Sequence, residues 1–322
     1  MIRRIVLVFV LLAFANMIPA ARAADPDPDP DPDTKADAKP DLSPISLVKK
    51  GWQDFIRAQN YMPMICTDRN SVTPHPNAVP LGYLQFENGV TLDKFHHGGD
   101  FGGSETLMRL GAWRHGELRL QAPTYLTSFG DSDAFAGVTD IQLGIKQELD
   151  PPSWRKKGVD IGVIAGFSVP TGSRSLTTTR VDPYVQMISF YRHRNCTLGT
   201  SHSIFMPSQF QDDPAAGPVI RRNVTYQPTV ILFKHIKVGK EQIEKIDLWT
   251  EYAGLFYQQG SSSQLIDMGV LYRPVRRHQV DFRFGFGLTA EAPRAFIGAG
   301  YSWLPGRALP FYKRPVEYQY RP

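Results

Sequence analysis

Residues 278–288 read HQVDFRFGFGL, and counting by twos separates two chemistries. Val280, Phe282, Phe284, Phe286 and Leu288 fall on one side, while Gln279, Asp281, Arg283, Gly285 and Gly287 fall on the other. A period of two is that of a strand whose successive side chains point to opposite faces. A tilted strand needs about 9–11 residues to cross a bilayer, whereas soluble strands cluster near five or six. This stretch has the longer length.

The same pattern extends outward in both directions. In 137–149, Ile141, Leu143 and Ile145 oppose Asp140, Gln142, Gly144, Lys146 and Glu148. In 159–170, Ile161, Val163, Ala165, Phe167 and Val169 oppose Asp160, Gly162, Gly166 and Ser168. The whole set of expected strands is 82–92, 104–112, 117–122, 137–149, 159–170, 182–192, 196–206, 222–235, 244–256, 264–272, 278–288 and 294–304. A soluble sandwich also alternates, because it buries one face against a second sheet. Strand length and connection length separate the two. The connections 93–103, 123–136, 171–181, 207–221, 257–263 and 289–293 are on the whole longer than 113–116, 150–158, 193–195, 236–243 and 273–277. Long extracellular loops over short periplasmic turns are the habit of outer-membrane barrels. The expected fold is therefore all-β, a transmembrane antiparallel β-barrel of twelve strands over 82–304.

The chain has 322 residues, 42% of them hydrophobic, which allows a large folded unit. Residues 1–23 read as a secretory signal, with Arg3 and Arg4 before the apolar run Ile5–Ala15 and Ala21-Arg22-Ala23 at the cut. Removing them takes three of the five net positive charges, so the basic pI argues poorly for nucleic acid. Export excludes cytoplasmic enzymes and nucleotide switches. Residues 24–41, ADPDPDPDPDTKADAKPD, read as an extended, disordered tether, because proline removes backbone donors and the aspartates repel. Within 42–81, Leu47, Val48, Trp52, Phe55 and Ile56 fit a short helix that could lie in a pore, at its periplasmic mouth or at an interface. Residues 62–81, rich in Pro and Asn, read as connection, and 305–322 as a C-terminal tail. Cys66 and Cys196 are able to form one bridge in an oxidising compartment but are too few to build a disulfide scaffold.

No catalytic, cofactor or metal constellation emerges. His96-His97 near Asp93 and Asp100 reads as a pair of exposed loop histidines, and Ser203 and His202 point to opposite faces of a strand. The polar face supplies the candidate pore lining: Arg109, Arg119, Asp140, Lys146, Asp160, Glu251, Asp267, Asp281 and Arg283. Both signs occur, which argues against strong ion selectivity, and many of these groups are expected to pair with one another.

Several stretches resemble the outer-membrane transporter-like family associated with the meta-cleavage pathway of phenol degradation. They are Phe86-Glu87-Asn88-Gly89, Gly137 to Lys146 (GVTDIQLGIK) and Phe167 to Gly172 (FSVPTG). Later ones are Asp247 to Tyr252 (DLWTEY), Asp267 to Val270 (DMGV) and Phe296 to Tyr301 (FIGAGY). The resemblance implies a cell outer-membrane barrel that passes small organic or aromatic solutes; its partners would be outer-membrane lipids and, during biogenesis, the barrel-assembly machinery. It brings no catalytic residues. The alternative is a non-transporting structural or surface-binding barrel, favoured if the lumen is plugged. An outer-membrane lipid hydrolase is the enzymatic alternative, and the Ser203–His202 geometry speaks against it.

Overall fold

The computed structural model describes residues 63–130, 134–149, 152–213, 217–238 and 243–308. The expected signal, tether, helix and most of the tail lie outside these residues.

The strands are β1 (Tyr83–Phe95), β2 (Gly98–Gly103), β3 (Leu107–Trp113), β4 (Gly116–Gln121), β5 (Tyr125–Phe129), β6 (Ala136–Val138), β7 (Ile141–Glu148), β8 (Val159–Val169) and β9 (Asp182–His193). They continue as β10 (Cys196–Phe205), β11 (Ser208–Asp213), β12 (Gly217–Arg222), β13 (Thr225–Val238), β14 (Ile243–Tyr257), β15 (Ser263–Val275), β16 (His278–Gly287) and β17 (Ala295–Arg307). A single helical turn, α1, covers Pro152–Arg155. Antiparallel neighbours run β1-β3-β4-β7-β8-β9-β10-β13-β14-β15-β16-β17, and β17 pairs back onto β1. That closure makes a 12-strand barrel and leaves no open edge, which is what hydrocarbon demands of a sheet.

The wall alternates as the sequence does. Phe282, Phe286, Val280, Leu248, Leu232 and Ile297 are among the large apolar side chains exposed on the outside, while Asp281, Gln279, Glu251 and Asp267 are buried inside. A closed barrel with an apolar outer wall and a polar inner wall is built for an outer membrane. Among the described residues no helix is long and apolar enough to cross one.

Four features depart from the expected strands. The 137–149 segment breaks at Thr139-Asp140, because the Asp140 carboxylate accepts the Thr171 and Gly172 N–H groups at 3.0 and 2.8 Å and turns the chain. The half before the break, β6, pairs with β5 rather than entering the wall. Expected loops 93–103, 123–136 and 207–221 hold β2, β5 and most of the β11–β12 hairpin, which extend the sheet beyond the barrel or stand beside it. The last strand runs past 304, since Gly306 and Arg307 still pair with Leu84 and Tyr83.

Short turns close the end where β1 begins. Arg276-Arg277 alone join β15 to β16, and His115 and Arg194 adopt left-handed backbone (φ 63° and 54°) in two others. Longer connections close the opposite end.

Candidate functional site: the lumen and its inner strap

Residues 63–81 are not a simple connection. They have neither helix nor strand, and Ile65, Asn70, Thr73 and Val79 are buried. The segment enters at the short-turn end, where the Ile65 N–H donates to the Arg276 carbonyl at 2.7 Å. It leaves at the same end, since Val79 and Ile65 pack together on Leu304. Between these points it climbs to about half the height of the barrel. There the Val72 and Thr73 N–H groups donate at 2.8 and 2.7 Å to Glu251, halfway along β14, and the Thr73 hydroxyl touches both Glu251 and Thr229. Irregular backbone carries unpaired donors, and inner-wall carboxylates answer them. Glu148 accepts Ala78 N–H at 2.8 Å, Glu117 accepts Val79 N–H at 2.6 Å, and Glu87 accepts Asp68 and Arg69 N–H at 2.8 Å.

Two inner-wall glycines make room for this strap. A Cβ on Gly111 would lie 2.1 Å from the Pro80 carbonyl oxygen, and one on Gly162 would lie 2.4 Å from that of Pro76. Only glycine permits such approach of backbone to wall.

One side of the lumen is a buried ion network centred on Arg109. Its guanidinium donates to Glu117 at 2.8 Å, to Glu87 at 2.8 Å, and to the strap carbonyls of Cys66 and Asn77 at 2.7 and 3.0 Å. Arg119 joins Asp68 and reaches Glu117 at 2.7 Å, while Lys146 donates to Asp68 at 2.6 Å and to the His75 carbonyl at 2.7 Å. Arg109, Lys146, Glu87 and Glu117 are fully buried, with no exposed surface. Three cations therefore meet Asp68, Glu87 and Glu117 in charge balance, which is the condition for burying ions at tolerable cost. Higher up, Arg69 bridges Glu105 at 2.8 Å and Asp281 at 3.1 Å.

The other side carries an apolar patch. Ile164, Ile188, Phe190, Ile231, Phe233, Trp249 and Leu271 form one buried cluster on β8, β9, β13, β14 and β15, all facing inward. His75 of the strap sets its ring on Phe190, centroids 4.9 Å apart. The strap thus touches both a charged network and an apolar patch, and Asp247, Glu251 and Asp267 lie on the same strands as that patch.

This environment retunes the strap's titratable groups. Burial pushes the Cys66 thiol up to about 12, although Arg109 works against it. Burial also opposes charge on Asp68, but Arg109, Lys146 and Arg119 outweigh it and hold the carboxyl well below its ordinary range. Burial, aided by Lys146, keeps His75 neutral. Cys66 and Cys196 are both free thiols, so the bridge open to them is not made.

The candidate pore residues divide. Arg109, Arg119 and Lys146 come together in the network. Glu251 latches the strap and stands directly opposite Asp267 in the β14–β15 register. Both Asp267 oxygens are buried without a hydrogen-bond partner among the described residues. Asp281 holds Arg69, and Arg283 donates to Thr91 at 2.7 Å while lying over the Phe296 ring. Asp160 faces Arg192 at 3.8 Å near the short-turn end. Asp140 stands apart, at the loop end, where it caps a turn. His96 and His97 sit exposed between β1 and β2, and His202 points outward to the Tyr226 hydroxyl at 2.6 Å. Sequence reasoning missed Asp68, Arg69 and Thr73, which lie in a stretch with no period, and Glu87 and Glu117, which alternation within their own strands could have placed inside.

A family model described as the MetA-pathway of phenol degradation matches residues 67–201, in line with the resemblance seen in the sequence. Among solved structures, an outer membrane channel from Pseudomonas putida F1 superposes with a TM-score of 0.52 at 12% identity, covering 71% of this chain and 97% of its own. The NanC porin gives 0.42 at 10% identity over 68% of this chain and 98% of its own. The translocator domain of the autotransporter NalP from Neisseria meningitidis gives 0.46 at 9% identity over 80% and 96%. At these identities the likeness concerns the fold, and the Pseudomonas channel alone of the three exceeds 0.5. No curated protein matches the sequence.

Proposed function

We propose that this barrel is an outer-membrane channel for small organic solutes, aromatic ones included, whose lumen is narrowed by the inner strap. The observation that carries the reading is the apolar patch of the inner wall. Seven large apolar side chains face inward in a barrel whose outside is already apolar. A purely aqueous pore gains nothing from them; they are packed away from solvent in this structure, and a weakly polar solute that inserts beside them meets an apolar surface. The charged network around Arg109 is the complementary part. It is balanced in sign and internally paired, so it anchors the strap instead of selecting ions. Arg109, Arg119, Lys146, Asp160, Glu251, Asp267, Asp281 and Arg283 line the lumen in this reading, and Asp140 shapes its outer entrance. Residues 1–23 serve export, residues 24–41 act as a spacer, and membrane insertion proceeds through the barrel-assembly machinery.

The strap also favours a second reading, in which the barrel never conducts and serves a structural or surface-binding role. Uptake into vesicles separates the two. Neutral aromatic solutes should enter faster than cations or anions of similar size, and Phe190→Asp should reduce that preference without loss of the folded barrel. No flux for any solute, despite verified insertion, favours the non-transporting barrel.

A further inference from the structure

The two rims of the barrel differ in charge. Counted over the sequence, the short turns and the strand ends beside them hold Arg114, Arg155, Lys156, Lys157, Arg192, Arg194, Lys234, Lys237, Lys240, Lys245, Arg273, Arg276 and Arg277, against Glu117, Glu148, Asp150, Asp160, Glu241, Glu244 and Asp247. Asp150, Glu241 and Lys240 lie outside the described residues, and the Glu244 side chain is likewise not described. The loop end is nearer balance: among the described side chains it holds Asp93, Asp100, Glu105, Asp140, Asp182 and Glu291 against Lys94, Arg174, Arg180, Arg221, Arg222 and Arg294.

Exposure sharpens the contrast. At the short-turn end Arg114, Lys156, Lys157, Arg194, Lys234 and Lys237 are exposed. The described acids of that end face inward and are engaged: Glu148 accepts from His115 at 2.8 Å, Asp247 pairs with Arg273 at 2.7 Å, and Asp160 faces Arg192 at 3.8 Å. Lys234 projects from the outer wall itself, between exposed Leu232 and Ile236, and donates to Asn195 at 2.9 Å. Aromatic side chains ring the same level: Trp154, Tyr191 and Tyr272 are nearly half exposed, and the Tyr301 hydroxyl contacts His278 at 2.5 Å. Amphipathic rings of this kind mark the height at which hydrocarbon gives way to headgroups.

We propose that this rim is a binding surface for anionic phospholipid headgroups of the leaflet facing the short turns. The outer wall fixes the height of the rim. A ring of ammonium and guanidinium groups at that height meets headgroup phosphates, and a net-anionic leaflet adds attraction at each cation. Trp154 and Tyr272 seat beside the same headgroups, and Lys234 reaches them by extending its stem along the apolar wall. The proposal needs the barrel to sit in a membrane and is independent of whether it conducts.

The full chain reconstituted in nanodiscs supplies the test. Discs of phosphatidylcholine alone are compared with discs carrying a minority of phosphatidylglycerol, and the readouts are the melting midpoint of the folded, heat-modifiable species and the lipid retained in native mass spectrometry. The variant combines Lys156→Gln, Lys157→Gln, Lys234→Gln and Arg194→Asn, the last keeping a residue that tolerates left-handed backbone. The wild type should melt higher with phosphatidylglycerol and retain it several-fold over phosphatidylcholine. The variant should match the wild type in phosphatidylcholine and lose both effects. An equal midpoint in the two discs for the wild type, a phosphatidylglycerol effect that survives in the variant, or the same shift from inorganic phosphate added to phosphatidylcholine discs would each overturn the proposal.

Discussion

At the scale of single residues, Arg109 sits at the centre of the buried network that joins wall to strap. It has no exposed surface and binds two wall carboxylates and two strap carbonyls. Truncating one member of such a network leaves its partners buried, charged and unanswered, at a cost of about 3–5 kcal/mol. Arg109→Met should lower the urea midpoint of the folded barrel accordingly, whereas Arg283→Lys, at a half-buried site, should move it little. Equal effects would mean that the network is not what fastens wall to strap. Parity placed Arg109, Lys146 and Asp281 on the inner face without any structure, because a strand fixes direction residue by residue. It could not assign their partners. Asp68 and Arg69, which complete the pairs, come from a segment where nothing in the sequence repeats.

At the scale of elements, the strap behaves as a separable piece held by charge. The shifts on His75 and Asp68 act in the same direction. His75 is held below its free value, so a released strap binds that proton more readily than a docked one, and docking weakens as pH falls below the free imidazole value of about 6.5. Asp68 is held below the usual carboxylate range, so its contribution is complete above about 4 and is lost as pH falls further. Acidification from neutral should therefore loosen the strap in two steps. Cys66 reports on this, because its thiol is only partly exposed in the docked strap and its ionisation is pushed up to about 12, so release of the strap makes it more open to reagent. In a Cys196→Ser background, the fraction of Cys66 modified by a neutral disulfide reagent in short pulses should rise between pH 6.5 and 4. A flat profile would contradict the electrostatic fastening.

Most of the twelve wall strands were legible because they repeat the same alternation over ten residues or more; β3, β4 and β7 are shorter and show fewer repeats of it. The elements that escaped notice are short ones outside the wall. β5, β6 and the β11–β12 hairpin span only a few residues each, too few for a period to declare itself against turn-like composition. The split at Asp140 depends on a carboxylate reaching across to residues 171 and 172, a contact between positions far apart in the chain.

At the scale of the whole molecule, closure of β17 on β1 removes the edges, the outer wall meets lipid, and the interior is shared between an apolar patch and a charge-balanced strap. The central claim is that the strap at 63–81 governs passage through this interior. It is tested most directly by fastening the strap reversibly to the wall. Thr73 and Thr229 touch through their hydroxyls at mid-height. In a background with Cys66→Ser and Cys196→Ser, Thr73→Cys and Thr229→Cys place two thiols within reach of a disulfide. Single-channel conductance of the same protein, before and after reduction in one planar bilayer, is the measurement. The account predicts low or absent conductance when oxidised and discrete, larger openings once the bridge is reduced; identical conductance in the two states would contradict it.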